Sequence, residues 1–539
     1  MAVEYTSKNV DHLGIVAGVC KEIGLVQEID SLVGINEKQI VTTGEAITAM
    51  VINALGFVNR PLYLFPEFMR NKPTKLFFRN DLRPEDFNDD TVGRSLEKIF
   101  ENNPTKIFMH IALKLADRLG IRRKFLHLDT TTMSVHGEYK FEDIDQVPIK
   151  ITNGFSKDKR FDLKQFVISL ITSSESDFPV WMDVLSGNSS DKTHFRDVIK
   201  SFSKELSKQN EKTYFVMDSA MYTEENVKEI SPMVKWISRV PETISEAKKL
   251  IEETGIERMR KSSIEGYSYK EYMNSYGGVE QKWLVIFSEK GYDREIKTLN
   301  KNIEKEKEKI ETQLWHFMNN EFNCQEDGIS ELNNLIAKWK YHKISEVNVV
   351  EINRTGKRGR PKKDTQSLKT VYKIKTEFGK DEAKIEREIT KKGRFIVATN
   401  DIKLDNNEAL KEYKGQQSVE RGFRFLKDPL FFASSVFLKK PERIVSLGMV
   451  MVLSLLVYSV AQLKLRKALS ERNETIPDQK GKPTANPTMR RIFQIFEGIS
   501  LLIESRGRDE KIVGMMNLRE IHRKILALLG SSYEKMYLC

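Results

Sequence analysis

The sequence predicts a mixed α/β core that is interrupted by a long insertion and flanked by helical segments at both ends. Three features of the chain predict this organisation. Short apolar segments with the composition of β-strands begin near residue 122. Residues 241–392 are rich in charge and poor in regular apolar pattern. Core-like character returns at residues 394–400 and leads into a long apolar run at residues 444–461.

Size and composition limit the class of protein. The chain has 539 residues, which predicts more than one module, and 40% of them are hydrophobic. Its net charge of +11 suggests an acidic partner such as nucleic acid, although solubility alone would also account for it. The widely spaced Cys20, Cys324 and Cys539 form no C-x-x-C pair, which disfavours a disulfide framework and a cysteine zinc site.

Residues 1–120 have helical apolar spacing and are expected to form a helical N-terminal domain. Basic side chains cluster at Arg70, Lys72, Lys75 and Arg79. This cluster predicts a DNA-binding domain. A helical cap with a solvated basic face is the alternative.

The first part of the core, residues 121–240, has the pattern of three strands, a helix, a strand, a helix and a strand. That is the element order of a ribonuclease H-like fold, in which helices flank a mixed sheet. Residues 241–392 are then an insertion domain with charged helices. The core resumes at residues 393–468, and residues 469–539 are expected to form a helical tail.

The apolar run at residues 444–461 is long enough to span a bilayer. A fully buried helix in a large core is the competing interpretation. We favour the buried helix, because the chain has one such segment and the stretch before it carries candidate catalytic residues. An integral membrane protein is the weaker alternative, and no membrane partner is expected.

Two aspartates follow apolar strands and are candidate metal ligands. Asp129 follows KFLHL and precedes a run of threonines, and Asp218 closes YFVM. Carboxylates on a rigid scaffold suit Mg²⁺, which prefers oxygen ligands. Aspartates at strand ends are also common as turn formers and helix caps. Asp183 and Asp191 compete for the role, but Asp183 lies within a strand and Asp191 resembles a helix N-cap.

A third candidate lies on a helix predicted to run from Tyr413 to Lys427. At 100° per residue, four polar side chains fall within about 60° of one face. They are Tyr413, Gln416, Glu420 and Lys427. An ordinary amphipathic helix with a polar edge would show the same stripe.

The stretch EYKGQQSVERGFRFLKDP resembles a signature of insertion-sequence transposases of the DDE type, hairpin-forming group. That signature is Tyr, two residues, Arg, three residues, Glu, six residues, Lys. Tyr413, Glu420 and Lys427 match it, and Gln416 replaces the arginine. The resemblance covers about residues 122–467 and includes DSAMYTEEN. An insertion before the glutamate helix is also a feature of this group.

The resemblance implies a transposase that binds the terminal inverted repeats of an insertion sequence and cleaves and joins DNA strands. It implies catalytic and metal-binding roles for Asp129, Asp218 and Glu420, with two Mg²⁺ ions that Mn²⁺ can replace. A catalytically silent, transposase-derived DNA-binding protein is the alternative. A junction resolvase shares the chemistry but lacks the long insertion and the Tyr413–Lys427 pattern.

The DNA contacts expected on this helix are Tyr413, Gln416, Arg424 and Lys427. Gln416 lacks the charge of arginine, which makes cutting and joining a firmer expectation than hairpin formation. The resemblance further implies double-stranded DNA as partner, both transposon ends and target, and a homodimer on paired ends. It also implies a prokaryotic, cytoplasmic and nucleoid-associated protein.

Two further features allow DNA contact. Arg358 and Arg360 in TGKRGRPKK match the core of an AT-hook, which inserts arginines into a narrow minor groove. A flexible basic loop is the alternative. An aromatic side chain that stacks on an extruded base would assist hairpin formation. Trp236 and Trp283 are candidates, although core packing is the more ordinary role for a tryptophan.

Overall fold

The computed structural model describes residues 3–56, 64–137, 139, 147–175, 177–189, 191–206, 212–354, 369–428, 438–506 and 509–538. The chain divides into two compact units. Unit 1 comprises Met1–Ser238, Tyr276–Val279 and Leu410–Cys539. Unit 2 comprises Arg239–Ser275 and Glu280–Ala409.

Unit 1 begins with one strand and seven helices, followed by the strands and helices of the predicted core. These elements are β1 (Glu4–Asn9), α1 (Leu13–Ile23), α2 (Leu25–Val33), α3 (Thr43–Ala54), α4 (Phe65–Arg70), α5 (Thr74–Phe77), α6 (Asp89–Glu101), α7 (Pro104–Leu119), β2 (Phe125–Val135), β3 (Lys164–Ser173), β4 (Phe178–Ser186), α8 (Asp191–Leu206), β5 (Tyr214–Met217), α9 (Glu224–Ile230) and β6 (Lys235–Val240). The element order from β2 to β6 confirms the predicted order of the core.

The insertion and the return to unit 1 complete the chain. Their elements are α10 (Ser245–Glu253), β7 (Arg260–Lys261), β8 (Tyr267–Tyr276), β9 (Val279–Ser288), α11 (Glu289–Asn319), α12 (Gln325–Ile336), β10 (His342–Arg354), β11 (Lys369–Lys380), α13 (Glu382–Lys391), β12 (Arg394–Thr399), α14 (Asn406–Lys414), α15 (Gln417–Leu426), α16 (Pro441–Glu471), β13 (Ile476–Pro477), β14 (Pro483–Thr484), α17 (Met489–Ile495), β15 (Ser500–Arg506), β16 (Asp509–Met516), α18 (Glu520–Leu529) and α19 (Ser531–Glu534).

The sheet of unit 1 is mixed, with the strand order β4-β3-β2-β5-β6. Strands β2, β3 and β4 form an antiparallel meander, whereas β5 pairs parallel with β2 and β6 pairs parallel with β5. Parallel strands need crossover connections, and α8 and α9 supply them. This topology is consistent with the predicted ribonuclease H-like core.

One face of this sheet is covered by α15 and α16 at close range. A Cβ added to Gly422 of α15 would lie 3.4 Å from the Leu170 side chain, and one added to Gly448 of α16 would lie 2.5 Å from that of Val184. Glycine at these positions therefore lets both helix backbones approach the strands.

The opposite face is covered by α7 and α8. The Thr105 hydroxyl of α7 donates to the Asp183 carboxylate at 3.1 Å. Phe202 of α8 packs edge-on against Phe215, with ring centroids 6.3 Å apart. The sheet is thus the middle layer of three, and each face has its own set of helices.

The apolar run at residues 444–461 lies inside α16. In the most apolar 18-residue window of this helix, mean hydropathy is 2.3 and 94% of the residues are buried. Helices α1, α3, α6, α7, α15 and α18 pack around it, together with β4. A helix that is apolar on every side is stable in water only when other elements of the protein cover all of its sides. The structure therefore agrees with the buried-helix interpretation.

The basic cluster of the N-terminal region is paired with carboxylates. Arg70 binds Glu85 at 3.1 Å, and Lys75 binds Glu510 at 2.8 Å. Lys72 and Arg79 also lie beside acids, Asp11 for the first and Glu45 and Asp81 for the second. These four side chains do not form an uncompensated basic patch. Helices α1–α7 belong to unit 1, and DNA binding by this region stays a prediction.

The C-terminal tail is not wholly helical, which corrects the predicted fold class. Strand β15 pairs antiparallel with both β1 and β16. The N-terminal segment likewise begins with a strand. These short strands are half-exposed, and their partners lie far away along the chain, so local periodicity did not reveal them.

Unit 2 has a core of its own. The predicted charged helix is α11, and its buried residues lie on one stripe that includes Leu299, Ile303, Ile310 and Leu314. The unit also contains the β10–β11 hairpin and the strand order β12-β9-β8-β7, which the sequence did not predict. Strand β12, which opens the predicted second part of the core, pairs antiparallel with β9.

The end of the chain packs against α1 through two tyrosines. Tyr537 is 1% exposed, donates its hydroxyl to the Asp11 carbonyl at 2.6 Å and accepts from the Ile15 amide at 3.2 Å. A Cβ at Gly14 would lie 2.6 Å from the Tyr537 ring, and one at Gly18 would lie 2.9 Å from the Tyr533 ring. Glycine on this helix face therefore makes room for both rings.

We predict that Tyr537→Ala destabilises unit 1 by about 3–5 kcal/mol, because the substitution leaves a cavity and unpaired backbone groups. The measurement is the midpoint of urea unfolding. Leu538→Ala is the control, since Leu538 is 45% exposed and its truncation is expected to change stability by less than about 0.5 kcal/mol. Equal midpoints for the two variants would contradict the role of Tyr537.

Candidate active site

The two predicted aspartates lie side by side because of the register of β2 and β5. Phe125 pairs with Tyr214 and Leu128 pairs with Met217 in the parallel ladder. The next position along both strands holds Asp129 and Asp218. Neighbouring strands are about 4.8 Å apart, and side chains at the same register point to the same face. The sheet therefore presents two adjacent carboxylates on the face that α15 covers.

Asp129 lies within β2, since the threonines that follow it continue the strand. Its carboxylate accepts from the Thr130 amide at 2.7 Å and lies 3.3 Å from the ammonium of Lys157. Burial raises the pKa of Asp129, Lys157 lowers it, and the neighbouring Asp218 raises it again. The two carboxylates thus repel each other, and a cation beside them stabilises the ionised pair.

Asp218 directly follows β5 and begins a short 3-10 turn, Ser219–Met221. Its carboxylate accepts from the Ser219 amide at 2.6 Å, and its carbonyl accepts from the Ser238 hydroxyl at 3.2 Å. Both bonds fix the residue at the edge of the sheet, where its side chain is exposed. Asp218 therefore caps the short turn, which was the alternative to a metal-binding role. It also faces solvent beside Asp129.

Glu420 lies on α15, which packs against β2 and β3. Val419 and Leu426 form the buried side of this helix, and Glu420 is exposed. Arg421 anchors the helix through two hydrogen bonds of 2.7 Å to the Asp177 carboxylate. The helix therefore has a fixed buried face and an acidic side chain that faces solvent.

The predicted single helix from Tyr413 to Lys427 is interrupted, which corrects the sequence interpretation. Helix α14 ends at Lys414 and α15 begins at Gln417, with Gly415 and Gln416 in the turn between them. Gly415 lies against a buried histidine, because a Cβ there would be 3.3 Å from the His127 ring. The stripe predicted for one continuous helix is therefore divided between α14, which carries Tyr413, and α15, which carries Glu420.

The remaining predicted DNA contacts are distributed over this region. Tyr413 and Gln416 are partly buried, whereas Arg424 is exposed on α15. Lys427 follows α15, and its ammonium donates to both carboxylate oxygens of Asp158, at 2.8 and 2.6 Å. Arg358 and Arg360, and with them the AT-hook match, lie outside the described residues.

The donor set suits a hard divalent cation only in part. Asp129 and Asp218 offer carboxylate oxygens from rigid backbone, the ligand type that Mg²⁺ prefers. The Lys157 ammonium already provides a positive charge at Asp129. Within the described part of the chain, no three His, Cys, Asp or Glu side chains lie close enough together to hold one metal ion. The aspartate pair fits the ion, and Glu420 does not complete a trio in this structure.

The competing aspartate Asp183 has a structural environment. It pairs across the sheet with Ser169 on β3, at the position beside the Asp129–Leu170 pair, so it points to the opposite face. Its carboxylate accepts from the Val184 amide at 2.9 Å and from Thr105. Burial raises the pKa of Asp183. Its role is to join α7 to β4.

Neither tryptophan is placed to stack on a base. Trp236 and Trp283 are both 0% exposed. The Trp236 indole donates to the Ser231 hydroxyl at 2.9 Å, and the Trp283 indole donates to the Gln281 side chain at 3.1 Å. Both are core residues, as the alternative interpretation held.

Two neighbours of Asp129 were missed by sequence reasoning. Lys157 belongs to a loop with no motif that marks it. His127 precedes Asp129 by two residues on the same sheet face, is fully buried, and lies 4.0 Å from the Glu412 carboxylate. Burial lowers the pKa of His127 to about 4, so it packs as a neutral ring. Alternation along β2 was the signal that could have placed His127 here.

A family model described as the transposase DDE domain matches residues 122–457. The chain belongs to the DDE transposase family. Membership implies a phosphoryl-transfer enzyme of DNA transposition, from a family that typically uses divalent metal ions. The matched residues of this DDE transposase span both strands of the aspartate pair and α15.

Other comparisons add less. A domain of unknown function matches residues 5–113 of the transposase, and no curated protein matches the chain. A cryo-EM structure of the piggyBac transposase synaptic complex with hairpin DNA is similar with a TM-score of 0.37 and 9% identity. That match covers 92% of this chain and 82% of the other. Similarity at this level does not establish a shared arrangement.

We predict that Mn²⁺ raises the thermal unfolding midpoint of the transposase, because the ion relieves repulsion between Asp129 and Asp218. Binding contributes about 2.7 kcal/mol at an ion concentration about 100 times its Kd. Asp129→Asn is expected to lose this increase. Asp183→Asn is the matched control, since it replaces a partly buried aspartate on the opposite sheet face, and it is expected to keep the increase. The same response in both variants would show that the ion binds elsewhere.

Proposed function

We propose that this protein is an active DNA transposase that cleaves the ends of a mobile element and joins them to target DNA. Asp129, Asp218 and Glu420 serve as its catalytic and metal-binding carboxylates. The observation that carries the proposal is the register of β2 and β5, which places two aspartates side by side at the sheet edge within the matched DDE domain. Glu420, on the helix packed over those strands, is the acidic side chain that can complete the set.

The reaction is an in-line phosphoryl transfer. A water oxygen, or later a DNA 3′-hydroxyl oxygen, bonds to the phosphorus, and the bond from phosphorus to the departing 3′-oxygen breaks. When bound, two Mg²⁺ ions supply charge stabilisation at the attacking and leaving oxygens, and Mn²⁺ can replace them. Asp129 and Asp218 hold their carboxylates on rigid strands, which fixes the positions of those ligands before DNA arrives.

Glu420 completes the site when its exposed side chain turns towards the aspartate pair. Repulsion opposes the approach of a third carboxylate while no cation is bound. The exposed position of Glu420 is thus consistent with a ligand that joins the site on loading.

DNA is held by the cationic end of the same helix. Lys427 and the exposed Arg424 contact phosphates of the transposon end, and Tyr413 and Gln416 line the approach to α15. The neutral Gln416 gives a weaker contact than the arginine of the hairpin-forming signature. The proposed reactions are therefore the cutting and joining steps of that group, without the hairpin step. Arg358 and Arg360 are proposed minor-groove contacts.

The protein acts on double-stranded DNA as a homodimer that holds two ends together, in the cytoplasm of a prokaryote and in association with the nucleoid. Its cognate DNA is the pair of inverted repeats that flank its own gene. Those repeats supply the substrate for the tests below.

We predict that Asp218→Asn and Glu420→Gln each reduce cleavage of terminal-repeat DNA in Mg²⁺ by at least about 100-fold, because each removes a charged ligand. DNA affinity is expected to stay within about threefold of the parent. Asp183→Asn is expected to cleave normally. Full cleavage by Glu420→Gln would overturn the assignment. Binding without cleavage by the parent protein in every divalent ion would instead support the catalytically silent alternative.

We further predict that Lys427→Ala weakens binding of duplex DNA and lowers the slope of log affinity against log salt by about one, because one phosphate contact is lost. Fluorescence anisotropy over a range of salt concentrations measures both quantities. Lys467→Ala is the control, since Lys467 is 67% exposed on α16 and lies outside the proposed site. An unchanged slope for Lys427→Ala would contradict a phosphate contact.

A further inference from the structure

The loop between β2 and β3 carries two adjacent charged residues that reach both halves of the proposed site. The Lys157 ammonium lies 3.3 Å from the Asp129 carboxylate and donates to the Thr130 carbonyl at 2.6 Å and the Thr130 hydroxyl at 3.1 Å. The next residue, Asp158, accepts both hydrogen bonds of Lys427. One turn of backbone therefore places the Lys157 ammonium beside Asp129, the proposed metal ligand. It also places the Asp158 carboxylate beside Lys427, the proposed contact for a DNA phosphate.

The loop is built to hold these two side chains in place. The Lys157 amide donates to the Thr132 hydroxyl at 3.2 Å, which ties the loop to β2. Ser156 accepts from the Lys159 amide through its carbonyl at 3.1 Å and from the Arg160 amide through its hydroxyl at 3.1 Å, which closes the turn. The backbone geometry thus fixes Lys157 and Asp158 relative to β2.

The base of the loop is fixed by a close approach of two backbones. A Cβ added to Gly154 would lie 2.1 Å from the Gly187 carbonyl oxygen. A bridge between Thr152 and Gln165 closes the neck of the loop. The turn that carries Lys157 and Asp158 therefore stands on an anchored base.

Both ion pairs are accessible to competitors. The Lys157 and Asp158 side chains are 36% and 44% exposed, and that of Lys427 is 24% exposed. Partly exposed pairs contribute little, so a divalent cation or a phosphate can replace them at low cost. Hydrogen bonds to a charged phosphate would satisfy Lys427 as well as Asp158 does.

We propose that Lys157 and Asp158 act as an internal substitute for the metal ion and the DNA phosphate and are displaced together when both bind. This inference rests on the proposed metal-binding role of Asp129 and the proposed phosphate contact of Lys427. Because the two residues are adjacent, the displacement of one loosens the other. Cation binding and DNA binding therefore strengthen each other, by the same factor in both directions.

Binding measurements test the two residues separately. Calorimetric titration with Mn²⁺ in the absence of DNA is expected to give Lys157→Met an affinity about threefold or more above the parent. Anisotropy with a mixed-sequence duplex of about 30 base pairs in EDTA, long enough for several phosphate contacts, is expected to give Asp158→Asn a similar gain. Lys159→Met and Asp162→Asn are the matched controls, since they alter equal charges in the same loop.

The coupling is tested by DNA titrations with and without Mn²⁺. The enhancement of DNA affinity by Mn²⁺ is expected to be smaller in the Lys157→Met, Asp158→Asn double variant than in the parent. The proposal is overturned if Lys157→Met leaves Mn²⁺ affinity unchanged or weakens it, or if Asp158→Asn behaves like Asp162→Asn. Lys157→Arg, which keeps the charge, is expected to bind Mn²⁺ like the parent and separates loss of charge from loss of folding.

These measurements do not depend on strand cleavage. A protein that binds Mn²⁺ and DNA but never cuts would overturn the proposed activity and leave the displacement result interpretable. A protein that cleaves normally, with no gain from either substitution, would overturn the displacement alone.

Discussion

The parallel register between β2 and β5 is the constraint on which the proposed site depends. Side chains alternate between the two faces of a sheet, so a slip of one residue would turn Asp218 away from Asp129. Apolar side chains fix the register: Leu126 and Phe215 are fully buried at paired positions. The geometry of two polar residues is therefore set by apolar packing on the opposite face of the sheet, against α8, while α15 covers the face of the aspartates.

Sequence patterns predicted the parts of the fold that are locally encoded. The strand and helix order from β2 to β6, the buried character of α16 and the positions of Asp129 and Asp218 all follow from short stretches of chain. The break at Gly415 was missed because helical spacing on either side of one glycine looks continuous. The contact between Lys157 and Asp129 was not predicted either. The two residues are 28 positions apart in the chain, and periodicity predicts only contacts within one helix or strand.

Charge within unit 1 is largely compensated by partners that are distant in sequence. Lys75 pairs with Glu510, Lys464 with Glu22, and Lys427 with Asp158. The net positive charge of the chain is therefore a poor guide to where nucleic acid would bind. A DNA-binding surface would consist of those lysine and arginine side chains that can exchange a carboxylate partner for a DNA phosphate.

The contact of the two chain ends has a consequence for biosynthesis. Strand β1 pairs with β15, and Tyr537 closes over α1, so α1 lacks these partners until residues 500–537 have been synthesised. At about 5–20 residues per second, this leaves the nascent N-terminal helices without their final partners for roughly 25–100 s. A chain that terminates early cannot close unit 1. Chains released before residue 537 would lack this closure, and their α1 would remain open to proteolysis.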